Sequence, residues 1–144
     1  MGKKRIVKKA GSSADSGKMS RSMARSPKKK LVHGVLTVQA TYNNTILTLA
    51  DGEGKTVIWS SSGSLGFTGA KKGTPFAAGK VGEFLAEKGQ GLGLQEIDVV
   101  VRGVGSGRES AIRAFAAKGI IINGIKDTTP VPFNGPKAKK PRRV

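Results

Sequence analysis

The sequence contains no cysteine and very little histidine, and both absences narrow the chemistry open to it. Its 144 residues include one histidine, nine acidic residues and only 5% aromatic residues. Without cysteine there is no disulfide, no thiol nucleophile and none of the usual structural zinc sites. A lone histidine, His33, cannot supply a two-histidine metal site. The composition therefore excludes most of the metal and thiol chemistry that small proteins use.

Acidic residues are scarce, whereas 26 lysines and arginines give a formal net charge of +17, an excess that points to a polyanionic partner. Residues 1–30 carry eleven basic residues and one acid, and residues 137–144 carry five basic residues and no acid. The segment between them is nearly neutral. We expect a globular domain over 31–130, long enough for a single core, between a basic arm (1–30) and a basic extended tail (131–144). Both basic segments are expected to be disordered when free.

Long apolar runs are also absent. No stretch approaches the ~20 apolar residues of a membrane span, and the basic start MGKKRIVKKAG lacks the apolar region of a secretory signal. Ile6 stands where a myristoylation signal needs Ser or Thr. The stretch SRSMARSPKKK has the composition of a transit peptide, but an RNA-binding arm has the same composition. We expect a cytoplasmic protein with no membrane partner.

The first half of the domain has the pattern of an antiparallel meander. The alternation in VLTVQATY predicts a strand whose buried face carries Leu36, Val38, Ala40 and Tyr42. Asn43-Asn44 predicts a tight turn into the strand TILTLA, and DGEG turns the chain into a third strand, KTVIWS. A loop rich in serine and glycine follows, SSSGSLGFTGAKKG, and loops of that length are usually functional or mobile.

The second half alternates helices and strands. Thr74 and Pro75 predict the N-cap and first residue of a helix that ends with Lys88 and Gly89, and IDVVV predicts a central strand. A capping box of Ser106 and Glu109 predicts a second helix, ended by Gly119, before a last strand that runs to Asp127. The buried stripe of this helix is predicted to contain Ile112, Phe115 and Ala116. The order predicts a single α/β domain, a mixed five-stranded sheet with two helices and ribonuclease H-like strand order.

The stretch RGVGSGRESAI joins a strand to a helix through alternating glycines. Gly103 and Gly105 match a dinucleotide fingerprint, and Asp127 imitates its ribose-binding acid, but Arg108 stands in place of the third glycine. The loop also follows a meander instead of opening a parallel sheet, so we expect no nucleotide cofactor. Free N–H groups at the helix start, close backbone approach at the glycines and the forked donor Arg108, which we expect to be exposed, predict phosphate binding instead. The alternative is an ordinary glycine turn.

Enzymes with ribonuclease H-like sheets gather carboxylates around metal ions. The first strand of this chain has no acid, and Glu83, Glu87 and Asp98 are too few for a two-metal site. Each is more simply a solvated or ion-paired residue, and His33 is interpreted as structural or RNA-facing. We therefore expect no catalytic residue, no metal, no cofactor and no small-molecule substrate.

Four ordered blocks carry a family resemblance: ATYNNTILTLAD, GFTGAKKGTPFAA, GVGSGRESAIRAFAAKG and IKDTTPVPFNG followed by a basic tail. From about His33 to the C-terminus the chain resembles bacterial small-subunit ribosomal protein eleven. The resemblance implies a structural, non-catalytic protein that binds ribosomal RNA on the small-subunit platform, near the messenger RNA exit path and the exit-site transfer RNA. It also implies neighbouring small-subunit proteins six, eighteen and twenty-one, with protein seven across the channel.

The resemblance further implies which residues contact ribosomal RNA. They are Asn43, Asn44, Phe67, Lys71, Lys72, Gly105, Gly107, Arg108, Asn134, Gly135, Lys139, Lys140, Arg142 and Arg143. The tail departs from the family, which usually has His at Phe133 and a Cys-Arg-Pro-Pro-like run where this chain has PKAKKP. The alternative function is a free nucleic-acid-binding or processing module of ribonuclease H-like fold.

Overall fold

A computed structural model describes residues 30–140, which contain five strands and two α-helices. The strands are β1 (His33–Ala40), β2 (Thr45–Ala50), β3 (Thr56–Ser61), β4 (Glu96–Arg102) and β5 (Ile121–Asp127). The helices are α1 (Pro75–Gly91) and α2 (Arg108–Ala117), and a short 3-10 turn (Gly69–Gly73) precedes α1. Residues 131–140 are exposed and belong to no helix or strand.

The five strands form one mixed sheet in the order β3-β2-β1-β4-β5. The central strand β1 pairs antiparallel with β2 and parallel with β4, and β5 continues the parallel half. The predicted α/β domain, with its meander, two helices and ribonuclease H-like order, is confirmed. This connectivity places the carboxyl ends of β1, β4 and β5 at the same end of the sheet.

Both helices cover one face of the sheet. Leu36 of β1 lies in register between Leu49 of β2 and Val99 of β4, and all three are buried with Leu85 of α1 and Phe115 of α2 in one core. Burying each such side chain contributes about 1.5–3 kcal/mol. Within residues 30–140 no helix covers the opposite face, where the alternate strand residues remain partly exposed.

The start of α1 forms as predicted. Thr74 is the N-cap, its Oγ1 accepts a hydrogen bond from the Ala77 amide at 3.3 Å, and Pro75 occupies the first turn. The predicted end is wrong, because α1 continues to Gly91. Gly89 is buried in the helix, where a Cβ would lie 2.8 Å from Leu94 Cδ2, so this glycine permits close packing instead of ending the helix.

The two helices cross closely at Gly82, where a Cβ would lie 2.7 Å from Ala114 Cβ and 2.8 Å from the Ala111 carbonyl oxygen. The buried residues of α2 are Ala111, Ala114 and Phe115. The predicted buried position of Ala116 is therefore wrong, because the face of α2 that meets α1 is centred on the two small alanines.

Two local predictions at strand and helix ends are also wrong. β1 ends at Ala40, and Tyr42 is 77% exposed because the β1–β2 turn interrupts the alternation before it. The capping box does not form: α2 begins without a side-chain cap, and the Ser106 hydroxyl donates instead to the Gly73 carbonyl oxygen at 2.9 Å.

Candidate nucleic-acid interface

Three loops meet at the end of the sheet where β1, β4 and β5 finish. We call this region the three-loop end. Its parts are the β1–β2 turn (41–44), the lysine turn (69–73) and the glycine loop (103–107). These segments contain six of the predicted RNA-contact residues, and a seventh, Arg108, follows the glycine loop directly. The fold brings them together from distant parts of the sequence.

Glycines let the three loops touch through their backbones. A Cβ at Gly73 would lie 2.1 Å from the Tyr42 carbonyl oxygen, and one at Gly105 would lie 2.3 Å from the Thr41 carbonyl oxygen. Real Cβ atoms do not approach so closely, so both positions require glycine. The hydrogen bond from Ser106 to Gly73 ties the glycine loop to the lysine turn. The three-loop end is therefore one packed unit.

The β1–β2 turn presents the two predicted asparagines differently. Thr41 Oγ1 accepts from the Asn44 amide at 3.1 Å and donates to the Asn44 carbonyl oxygen at 3.0 Å, which fixes the turn. Asn43 is exposed, whereas the Asn44 side-chain oxygen is buried without a hydrogen-bond partner among the described residues. The Asn43 side chain is thus accessible from solvent, whereas Asn44 Oδ1 is a buried acceptor without a partner among the described residues.

The two lysines of the lysine turn differ in exposure. Lys71 is exposed and Lys72 is half-buried. The Lys71 carbonyl oxygen accepts from the Thr74 amide at 3.3 Å and from the Thr74 hydroxyl at 2.7 Å, which anchors the turn to the start of α1. The backbone that carries both ammonium groups is therefore fixed.

Phe67 lies just before the lysine turn and forms one wall of an aromatic groove. Its ring meets that of Phe76 edge to face, with centroids 6.1 Å apart and planes at 81°. The groove has a volume of about 340 Å³. Phe76 is 67% exposed, so the ring that holds Phe67 is itself accessible.

The glycine loop leads into the uncapped start of α2. Gly105 and Gly107 are both buried, and a Cβ at Gly107 would lie 2.6 Å from Thr45 Oγ1. These glycines therefore serve loop packing, which differs from the expected role of admitting a ligand to the backbone. A cavity of about 360 Å³ opens beside them at the helix start. The amide groups and dipole of an uncapped helix start favour an anion in such a place.

Arg108 lines this cavity but is not the freely exposed phosphate donor that the sequence suggested. Its side chain is 32% exposed, and its guanidinium donates to the Gly103 carbonyl oxygen, to the Asp127 carboxylate and, at 3.3 Å, to Thr129 Oγ1. The expectation of an exposed side chain is wrong because these acceptors, from the glycine loop, the end of β5 and the segment after it, occupy the guanidinium group. Whether Arg108 also contacts RNA stays a prediction.

Asp127 is held ionised by the same arrangement. The Thr129 hydroxyl donates to Asp127 Oδ1 at 2.6 Å and the Thr129 amide donates to the same oxygen at 2.8 Å. The Thr129 hydroxyl contributes most, followed by the Arg108 guanidinium, and together they lower the pKa of Asp127 from 3.8 to about 2. Asp127 therefore has a local partner for its charge and is not placed as a ribose-binding acid.

The C-terminal tail is exposed as far as the structure describes it. Asn134, Gly135, Lys139 and Lys140 are all exposed, in a segment without helix or strand. Arg142 and Arg143 lie outside the described residues. The tail follows directly from β5 and Thr129, so it starts at the three-loop end.

The acids considered for a nuclease site are separated by the fold. Glu83 and Glu87 on α1 pair with lysines at 2.8 and 2.7 Å. Asp98 pairs with His33 at 3.2 Å on the face of the sheet away from the helices. Residues 30–140 contain no group of three potential metal ligands, and no helix among them is long and apolar enough to span a membrane.

Sequence reasoning missed three members of this region. Phe76 supports Phe67, Ser106 joins two loops, and Thr129 binds both Asp127 and Arg108. Phe76 directly follows Pro75, the first residue of α1. An aromatic residue in this exposed first turn is a signal from which its place beside Phe67 could have been predicted. Nothing in the sequence indicates the partners of Ser106 or Thr129, because they come from distant segments.

A family profile and individual relatives of known name identify the same protein family. A profile of the family described as Ribosomal protein S11 matches residues 34–143. The small ribosomal subunit protein uS11 of Solibacter usitatus is 54% identical over 117 residues, covering 81% of this chain and 87% of the relative. Its counterpart in Thermosipho melanesiensis is 50% identical, covering 80% of this chain and 91% of the relative. The Treponema pallidum protein is 49% identical over 120 residues, covering 83% and 95%.

The matched region includes the whole described sheet from Gly34 onward, both helices and the three-loop end. The match and the fold agree with the order of blocks in the sequence, and the chain belongs to the ribosomal protein S11 family, a family of structural, non-enzymatic ribosomal components.

Proposed function

We propose that the three-loop end and the C-terminal tail bind small-subunit ribosomal RNA, and that the chain thereby supports assembly of the small ribosomal subunit and translation. The observation that carries this proposal is the meeting of the three loops. Exposed Asn43 and Lys71 and the uncapped start of α2 are held by one packed unit, and the aromatic ring of Phe67 lies just before the lysine turn.

These groups suit irregular RNA better than a small ligand. Lysines and helix-start amides attract phosphates without reading sequence. An accessible aromatic ring can stack on an unpaired base, which is a usual mode of RNA recognition. The tail adds exposed Lys139 and Lys140 on an extended segment that can enter RNA grooves. These groups account for RNA binding without any catalysed reaction.

The relatives that the chain matches are named as small ribosomal subunit proteins. Together with the resemblance in its sequence, this supports a position on the small-subunit platform, near the messenger RNA exit path and the exit site. Small-subunit proteins six, eighteen, twenty-one and seven would then be its neighbours. This placement is part of the proposal.

Matched charge reversals test the RNA-binding surface. Lys71→Glu changes the three-loop end, whereas Lys55→Glu makes the same change on the β2–β3 turn at the opposite end of the sheet, where the lysine is also exposed. We expect Lys71→Glu to weaken binding to a full-length bacterial small-subunit ribosomal RNA transcript much more than Lys55→Glu. Equal effects would show that only the overall positive charge matters and would contradict the proposed surface.

Sedimentation separates the proposal from the alternative of a free nucleic-acid-binding or processing module. A structural component stays with small ribosomal subunits through a high-salt wash, because its contacts include packed loops as well as screened charges. A free module dissociates from the particles. Recovery of the chain in the soluble fraction would therefore favour the alternative.

A further inference from the structure

The start of the C-terminal tail is tied to the body by a cluster that we call the clasp: Arg108, Asp127, Thr129 and the backbone of Gly103. Arg108 reaches from α2 to the Asp127 carboxylate at the end of β5 and to the Gly103 carbonyl oxygen. Thr129 Oγ1 accepts from the Gly103 amide at 3.2 Å and donates to Asp127 at 2.6 Å. Each member of the clasp therefore contacts at least two others.

The backbone extends this attachment beyond the strand. The Thr128 amide donates to the Val101 carbonyl oxygen at 2.9 Å, which continues the pairing with β4 one residue past the end of β5. Pro130 and Pro132 follow at once. Proline fixes its own φ and restricts the residue before it, so the direction set at Thr129 is carried into the next residues. The exposed lysines Lys137, Lys139 and Lys140 follow this start of the tail.

We propose that Arg108, Asp127 and Thr129 are positioning residues that aim the C-terminal tail from the three-loop end toward RNA. They raise the effective concentration of the tail's cations at the RNA without any need to touch it. The inference rests on the proposed RNA-binding function of the tail and deepens it. It also assigns Asp127 a role that its charge alone does not suggest, because a carboxylate near an RNA surface repels phosphate.

Electrostatics and positioning predict opposite effects on RNA binding when the Asp127 carboxylate is removed, and this makes the inference testable. Asp127→Asn keeps the size of the side chain and removes one negative charge, so simple electrostatics predicts equal or tighter RNA binding. Loss of positioning predicts weaker binding. Thr129→Val removes the hydroxyl at similar shape, so the hydroxyl's contacts within the clasp are lost with no change in net charge. Glu53→Gln is the matched control, because it removes one exposed carboxylate and its lysine pair at the opposite end of the sheet.

The experiment is a cycle measured with a full-length bacterial small-subunit ribosomal RNA transcript. Asp127→Asn and Thr129→Val are each made in the full chain and in a chain that ends at residue 135. We expect each to weaken binding by the full chain about three- to tenfold, as expected when a tethered group loses its effective concentration. In the shortened chain neither should weaken binding, and Glu53→Gln should not weaken binding in either background. Circular dichroism and thermal melting establish that each variant is folded.

Three results would overturn the inference. Equal losses in the full and shortened chains would mean that the clasp acts on the body and not through the tail. Unchanged or tighter binding by both variants in the full chain would mean that aiming the tail has no effect. Equal affinity of the unmodified full and shortened chains would remove the tail from RNA binding. That last result would also contradict the tail's part in the proposed function. The comparison of Lys71→Glu with Lys55→Glu would still test RNA binding by the three-loop end.

Discussion

Arg108, the first residue of α2, and Asp127, the last residue of β5, form an ion pair between positions nineteen apart in the sequence. The pair joins the start of α2, which lines the proposed phosphate site, to the strand that precedes the basic tail. An arginine that the sequence presents as a free phosphate donor is thus also a structural link. We therefore expect substitutions at this position to affect both stability and the proposed RNA binding.

Arg108→Glu should destabilise the protein, because it removes the hydrogen bond to the Gly103 carbonyl oxygen and places two carboxylates side by side. We expect a loss of about 1–3 kcal/mol in the free energy of unfolding. Arg113→Glu in the same helix is the control, since its side chain is 81% exposed and the change should stay within about 0.5 kcal/mol. Urea denaturation measures both. Equal stabilities of the two variants would contradict a structural role for Arg108.

The Asp127 carboxylate should make stability depend on pH in the acid range. Its pKa is about 2 in the folded protein, below the ordinary 3.8, so its contribution is complete above the unfolded value and is lost as pH falls through the folded value. The unmodified chain should be more stable than Asp127→Asn near neutral pH, and the two should converge as pH falls from 3.8 through about 2. Urea denaturation along this pH range checks the convergence. A constant difference between the two chains throughout the range would contradict it.

Two glycines in α1 should respond oppositely to alanine. Nothing lies within 4 Å of a Cβ placed at Gly79, so Gly79→Ala should raise the free energy of unfolding by about 0.5–1 kcal/mol through helix propensity. Gly82→Ala should lower it by about 1–3 kcal/mol, because its methyl group would overlap Ala114 and the Ala111 carbonyl. Thermal and urea denaturation measure both changes. A stabilising Gly82→Ala would show that the helix crossing can relax.

Deleting residues 136–144 should leave stability unchanged and alter the salt dependence of RNA binding. The deletion removes five basic residues and Val144 as the only large aliphatic side chain. Each lost phosphate contact should flatten the slope of log K against log salt by roughly 0.7–0.9, so three contacts would change it by roughly 2 to 3. Salt titrations of both chains against the same RNA transcript measure the slopes. Parallel lines would mean that the tail serves solubility alone.

The elements were predictable from sequence where the cause was local. Thr74 and Pro75 start α1 as predicted, because a side-chain cap and a fixed φ act within a few residues. Predictions were wrong where a distant segment decided the outcome. Ser106 is drawn away from its own helix by the Gly73 carbonyl, and Arg108 is occupied by Asp127. The residue types of the predicted site could be read from the sequence. The clasp could not be predicted, because its geometry depends on contacts between distant segments.

The construction of the three-loop end also sets when during synthesis the chain can bind. Its parts come from residues 41–44, 69–73 and 103–107, and they meet only after β1 has paired in parallel with β4. Parallel pairing of remote strands is a slow, non-local step in folding. A nascent chain that stops before α2 carries the asparagines and the lysines but has no assembled surface to present. The proposed binding of RNA by the three-loop end would therefore require the finished fold, and incomplete copies would not enter a growing particle.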